Sequence, residues 1–142
     1  MLSKLLIAWC LMALCVAIHA SGVTSALRRL RRQPVSSQSF WRPTWLFIAL
    51  AGWMILCHLI EITLWALFYS WKGAMPDLTS AIYFSAVTYT TTGYGDLVLP
   101  EAWRLVGAVE ALTGILMCGL STGFFFAVMS RSYASHLEPE QK

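Results

Sequence analysis

Charge is what this sequence has least of. Only 12% of its 142 residues are Asp, Glu, Lys or Arg, whereas 58% are hydrophobic. The net charge of +3 is too small and too localised to hold a nucleic acid, whose binding rests on many phosphate contacts. Four cysteines, Cys10, Cys15, Cys57 and Cys118, all lie within apolar runs and have no partner at metal-ligand spacing. They read as small packing residues and imply neither a disulfide nor a zinc site. Internal repeats, a nucleophile–base pair and a metal set are missing as well, so a membrane-embedded enzyme or transporter is disfavoured and no cofactor is expected. Residues 132–142 are polar and too short to fold alone.

The apolar residues fall into long runs, and a helix needs ~20 mostly apolar residues to cross a bilayer. The first run, within residues 1–27, extends from Leu5 to Ile18 and on through small residues to Leu27 without a charge. A basic segment, 28–43, follows and carries Arg28, Arg29, Arg31, Arg32 and Arg42, five of the ten Lys and Arg. A second helix is expected from Thr44 to Tyr69, with Trp41 and Trp45 at one end and Trp65, Tyr69 and Trp71 towards the other, as suits two membrane interfaces. A third is expected from Trp103 to Ser130, with Arg131 marking its end. Between these two, Pro76–Asp77 looks like a helix start with Asp77 as N-cap. The helix it opens, Leu78 to Tyr89, is too short to cross a membrane and suits a re-entrant element. Residues 44–131 thus form one unit, followed by a short tail.

After the short helix comes Thr90–Thr91–Thr92–Gly93–Tyr94–Gly95–Asp96. Two glycines around one aromatic let a backbone alternate between ordinary and left-handed conformations, which only Gly enters cheaply. A strand of that kind can turn successive carbonyl oxygens to one side. A Thr-rich run into Gly-Tyr-Gly-Asp, after a short helix and between two membrane-length helices, resembles the filter signature of the potassium-channel pore superfamily, and the likeness covers about Trp45 to Arg131.

That resemblance implies an all-α membrane protein with three transmembrane helices, a re-entrant pore helix and a selectivity-filter loop, working as a homotetramer around a central pore. K+ would be bound by the carbonyls of Thr91, Thr92, Gly93 and Tyr94 with the Thr91 hydroxyl, Gly93 and Gly95 supplying the special backbone angles. Tyr94 would turn its ring from the pore to hold the strand, and Asp96 would cap the outer mouth. Thr88, Thr90, Tyr83 and Glu110 would support the filter. Two departures stand out: Thr92 replaces the usual Val or Ile, and its hydroxyl needs a partner; Val87 and Tyr83 replace a Glu and a Trp of some relatives. A potassium-selective channel is the expected function, with a weakly selective monovalent cation channel or a regulatory subunit of a larger channel as alternatives.

A filter entering from outside needs the far ends of both flanking helices in the cytoplasm. The Arg-rich segment belongs inside by the same token. Lys4 before the first run and Ala20–Ser21–Gly22 after it imitate a secretory signal, but cleavage there would leave the Arg cluster outside. The first helix is therefore expected to be retained in the cytoplasmic membrane, N-terminus outside and C-terminus inside, shielding the rim of the tetramer. It carries no Arg at every third position, so it is not a voltage sensor of that kind. Gating is expected from lipid, pH, tension or the ion itself, or to be absent. Arg28, Arg29, Arg31 and Arg32 fix topology and are candidates to touch anionic lipid.

In the third helix Gly114 and Gly119 fall near positions where relatives bend, although small residues also serve close helix packing. Ile115, Cys118, Thr122 and Phe126 form one helical stripe, expected to line a cavity with Phe126 as a hydrophobic gate. Phe124 and Phe125 are expected to face lipid. Ionisable groups in apolar helices default to paired or functional roles. His58, Glu61 and Glu110 suggest one cluster behind the filter, either a structural brace with a neutral carboxyl or a pH sensor, and His19 reads as an interfacial residue.

Overall fold

A computed structural model of the chain describes residues 2–31 and 41–137. Four α-helices account for nearly all of them: α1 (Leu2–Arg31), α2 (Trp41–Trp71), α3 (Leu78–Tyr89) and α4 (Arg104–Leu137), the last entered through a single 3-10 turn at Glu101–Trp103. Among the described residues no strand is present. Three helices, α1, α2 and α4, are long and apolar enough to cross a membrane. The fold is therefore all-α and multi-pass.

Side-chain contacts fix how the long helices run. Lys4 at the start of α1 donates to the Ala102 carbonyl at 2.9 Å, and its ammonium lies 4.5 Å from the Trp103 ring centre. Further along, His19 meets Ser121 at 3.1 Å, so α1 and α4 run parallel. Trp53 Nε1 donates to the Gly22 carbonyl at 2.9 Å and His19 meets Glu61 at 3.0 Å, so α2 is antiparallel to α1. A Cβ on Gly22 would come within 2.5 Å of the Cys57 sulfur, which is why the two helices can approach there. The basic segment expected at 28–43 includes residues 32–40, which lie outside the described residues; Arg28 and Arg29 are exposed at the end of α1.

The turn from α2 into α3 is built from local chemistry. Gly73 has a φ of 60°, its N–H reaches the Ser70 carbonyl, and the Ala74 N–H reaches the Tyr69 carbonyl. That is a Schellman cap, which places Gly where a left-handed residue is required. Asp77 then starts α3, accepting from the Ser80 N–H and the Ser80 hydroxyl, each at 2.8 Å. Both donations favour the charged form and hold the Asp77 carboxyl below its usual range. The 12 residues of α3 reach only ~18 Å, about half of a membrane-length helix. They run back along α2, from Phe84 against Tyr69 to Tyr89 against His58. The loop after α3 then returns to the end of the bundle from which α3 set out, where Phe68 packs edge-on against Trp103.

The larger core gathers Trp65, Phe68, Tyr69, Phe84, Tyr89, Leu99, Val106 and Met117 around α3. A smaller one at the opposite end holds Ala26, Leu50, Met54 and Phe124. Phe124 is therefore packed inside the bundle and does not face lipid, contrary to the sequence-based expectation; Phe125 is half-buried beside it. The helix period decides this, since Phe124 falls on the α4 face that carries Met117 and Ser121, both buried. α4 also continues to Leu137, beyond the end expected at Arg131.

Candidate functional site

The segment from Thr90 to Asp96 hangs from the end of α3 and is exposed at every residue. Its first turn is held by donation from the Thr91 N–H to the Thr88 carbonyl at 2.9 Å and from the Gly93 N–H to the Val87 carbonyl at 3.2 Å. The Thr90 hydroxyl donates to the Ala86 carbonyl at 2.7 Å. It lies 3.0 Å from the Thr92 hydroxyl, so the polar group of Thr92 has a partner.

Left-handed backbone occurs at alternate residues: Thr91 at φ 60°, Gly93 at 57° and Gly95 at 77°. The two glycines are where the sequence placed them. Thr91 is not a residue from which this could be read, because a β-branched side chain pays ~1–3 kcal/mol in that region. It is the one non-glycine with positive φ among the described residues. Tyr94 is 71% exposed, so the ring that was expected to hold the strand is largely bare within its own chain.

Asp96 accepts from the Tyr83 hydroxyl at 2.7 Å and from the Leu97 N–H at 3.0 Å. The Tyr83 donation, then the backbone donation, hold its carboxyl below the ordinary range, and the same bond pushes the Tyr83 phenol up. Tyr83 thus braces Asp96 without help from Val87, whose contribution is its carbonyl.

α4 passes directly behind the end of α3. Gly114 is buried, and a Cβ there would overlap the Tyr89 carbonyl, so this glycine serves close approach. Gly119 has nothing within 4 Å of a built Cβ. α4 runs unbroken through both. Ile115, Cys118, Thr122 and Phe126 are all exposed in the single chain, Phe126 by 67%.

The buried ionisable residues form two groups and not the single cluster expected. Glu110, with no exposed surface, sits between α2 and α3, engaged by Tyr69 at 2.7 Å and Ser85 at 2.5 Å. Ser85 also lies 2.8 Å from the Ile62 carbonyl, an acceptor only. The Ser85 hydroxyl is thus shared between the Glu110 carboxyl and the Ile62 carbonyl, and the Tyr69 hydroxyl donates to the other Glu110 oxygen. Glu110 therefore braces the middle of α3 and is hydrogen-bonded neither to the Thr90–Asp96 loop nor to Glu61.

Glu61 instead meets His19 at 3.0 Å and the Tyr89 hydroxyl. His58 lies 3.1 Å from the Tyr89 hydroxyl and 3.0 Å from Ser121, and Ser121 lies 3.1 Å from the other nitrogen of His19. His19 is fully buried, not interfacial, because the parallel course of α1 and α4 brings it beside Ser121. Sequence reasoning missed Tyr89, Ser121, Tyr69 and Ser85. The only available signal was a hydrogen-bonding residue on an otherwise apolar face.

Residues 54–131, more than half the chain, match the model of a family described as "Ion channel". Over 99 residues the chain is 29% identical to the potassium voltage-gated channel protein Shal of Drosophila melanogaster, covering 64% of this chain and 17% of that protein. Over 103 residues it is 32% identical to the voltage-gated potassium channel regulatory subunit KCNG2 of Homo sapiens, covering 68% of this chain and 20% of that protein. The chain thus spans at most about a fifth of the length of these curated relatives. No solved structure matches it.

Proposed function

Because the chain belongs to the ion-channel family, of potassium-channel pore type, that its residues 54–131 match, we propose that four copies assemble a pore that conducts K+ passively. The observation that carries this is the loop from Thr90 to Asp96, exposed throughout and left-handed at alternate residues, at the end of a half-length helix. In the assembly α3 re-enters the membrane from outside and points the negative end of its dipole at the ion path. The carbonyls of Thr91, Thr92, Gly93 and Tyr94, with the Thr91 hydroxyl, take the place of the hydration shell of K+. Asp96 sits at the outer mouth. The face of α4 carrying Ile115, Cys118, Thr122 and Phe126 lines the cavity below. The N-terminus of α1 lies outside and the basic segment inside, where Arg28, Arg29, Arg31 and Arg32 meet anionic lipid. The membrane is the cytoplasmic one.

Single-channel recording from the purified protein in lipid bilayers, K+ on one side and Na+ on the other, tests this. The reversal potential should lie strongly towards K+; reversal near zero would replace selectivity with general cation conduction and point to Thr92. A second function, a subunit that regulates a larger channel, is favoured by the likeness to KCNG2. A stable tetramer of this chain alone that conducts would exclude it.

A further inference from the structure

His19 (α1), His58 and Glu61 (α2), Tyr89 (α3) and Ser121 (α4) close a ring. Its five hydrogen bonds run Glu61–His19, His19–Ser121, Ser121–His58, His58–Tyr89 and Tyr89–Glu61. One side chain from each helix, and two from α2, meet here. Glu61 and His19 have no exposed surface, Tyr89 has 1% and Ser121 has 7%.

Each bond needs one proton. Tyr89 and Ser121 bring one each, a neutral His19 and a neutral His58 bring one each, and an ionised Glu61 brings none. Those ordinary states supply four protons for the five bonds and leave a buried charge of −1. One added proton completes the ring. Placed on Glu61, it gives an unbroken cycle of donors in either direction; placed on His58 or His19, it gives an imidazolium balanced by the Glu61 carboxylate. In every case the net charge is zero, the state that burial among apolar helices also favours. Hydrogen bonding and desolvation therefore ask for the same proton.

His19, His58 and Glu61 also offer three potential metal-ligand atoms within 4.8 Å of one another. Both nitrogens of each imidazole already have partners in the ring, so a metal would have to displace the ring's own hydrogen bonds. We propose that this ring is a proton-binding site that holds one proton beyond the ordinary complement of its side chains and ties all four helices together only while that proton is bound.

The sign follows from the count. Above ~pH 6.5 an unfolded chain has Glu61 ionised and both imidazoles neutral, four protons against five in the folded ring. The folded state binds more protons, so stability falls as pH rises. The other titratable groups facing the ring are the thiols of Cys15 on α1, Cys57 on α2 and Cys118 on α4, each close enough to Glu61 to feel its charge; α3 presents only Tyr89. Glu110, beyond them between α2, α3 and α4, has its own partners. Tyr89 is the last residue of α3 and stands directly before the Thr90–Asp96 loop, so loss of the proton loosens the anchor of that loop. This last consequence rests on the channel function proposed above; the proton count does not.

Thermal unfolding of the full chain in lipid nanodiscs, followed by circular dichroism from pH 7 to pH 9.5, tests the ring. Wild-type protein should lose stability with rising pH. Glu61→Gln supplies the fifth proton from its amide at every pH, so it should lose up to tenfold less of its folding equilibrium per pH unit per subunit, whatever its stability at pH 7. The thiols and Glu110 remain in that variant, and a proton-complete ring is as neutral as one holding Gln, so an equal pH slope in both proteins would overturn the proposal. A second measurement needs no variant. Solid-state NMR of the Glu61 carboxyl carbon and the ring nitrogens of His19 and His58 in lipid should account for one added proton at pH 7.5, and an ionised Glu61 beside two singly protonated imidazoles would refute it. A proton-complete ring in a protein that carries no current would count against the channel function alone.

Discussion

Asp96 and Tyr83 act as a pair at the end of the loop that follows α3. Tyr83 stands where some relatives place Trp, yet its hydroxyl reaches Asp96 at 2.7 Å. A carboxyl held below its ordinary range stabilises the folded state fully above the unfolded value of ~3.9 and ceases to do so as pH falls through the lowered one. Tyr83→Phe removes the larger of the two donations, so Asp96 should protonate at a higher pH. An NMR titration of the Asp96 carboxyl in wild type and variant should show that upward displacement. Glu110 makes a second residue-scale prediction. Glu110→Gln keeps one donor and one acceptor for Ser85 and Tyr69 and should be tolerated. Glu110→Ala strands the Tyr69 hydroxyl in a buried site, while Ser85 keeps the Ile62 carbonyl, and should cost about 1–3 kcal/mol, read as a lower unfolding midpoint in nanodiscs.

Between elements, the approach of α4 to the end of α3 matters most. Gly114 lets α4 pass the Tyr89 carbonyl where any Cβ would overlap backbone. Backbone cannot yield as a flexible side chain does, so Gly114→Ala should destabilise by about 1–3 kcal/mol and disturb conduction with it. Gly119→Ala, with open space around it, should leave the unfolding midpoint unchanged. The contrast separates close packing from bending: if both variants keep full stability and both lower open probability, α4 flexes at these glycines and Gly114 is not a packing contact. The bounds of α3, with Asp77 as cap, agree residue for residue with the sequence expectation. An N-cap and a short apolar run are local signals.

Across the whole molecule, a single chain leaves its most distinctive surface bare. Residues 90–96 are exposed, as is the α4 face from Ile115 to Phe126. Backbone polar groups cannot face hydrocarbon, so this side needs water or further copies of the chain. Native mass spectrometry from detergent should give a tetramer. Phe126→Ala should leave that tetramer intact and raise its open probability in bilayers if Phe126 closes the cavity by dewetting; an unchanged open probability would assign Phe126 to lipid.

Helix count, the cap at Asp77, the glycines at positions 93 and 95 and the membrane character of the three long helices were legible in the chain itself. Each rests on neighbours in sequence: apolar runs, turn chemistry, and the backbone freedom of glycine. What the sequence could not determine were Phe124 in the core, the left-handed Thr91, the separation of Glu110 from Glu61, and the place of His19. Those depend on which helix faces which, and at what height. His19 and Ser121 are 102 residues apart, and only the parallel course of α1 and α4 brings them to one level. Periodicity shows that a helix has a face; tertiary packing decides what that face meets.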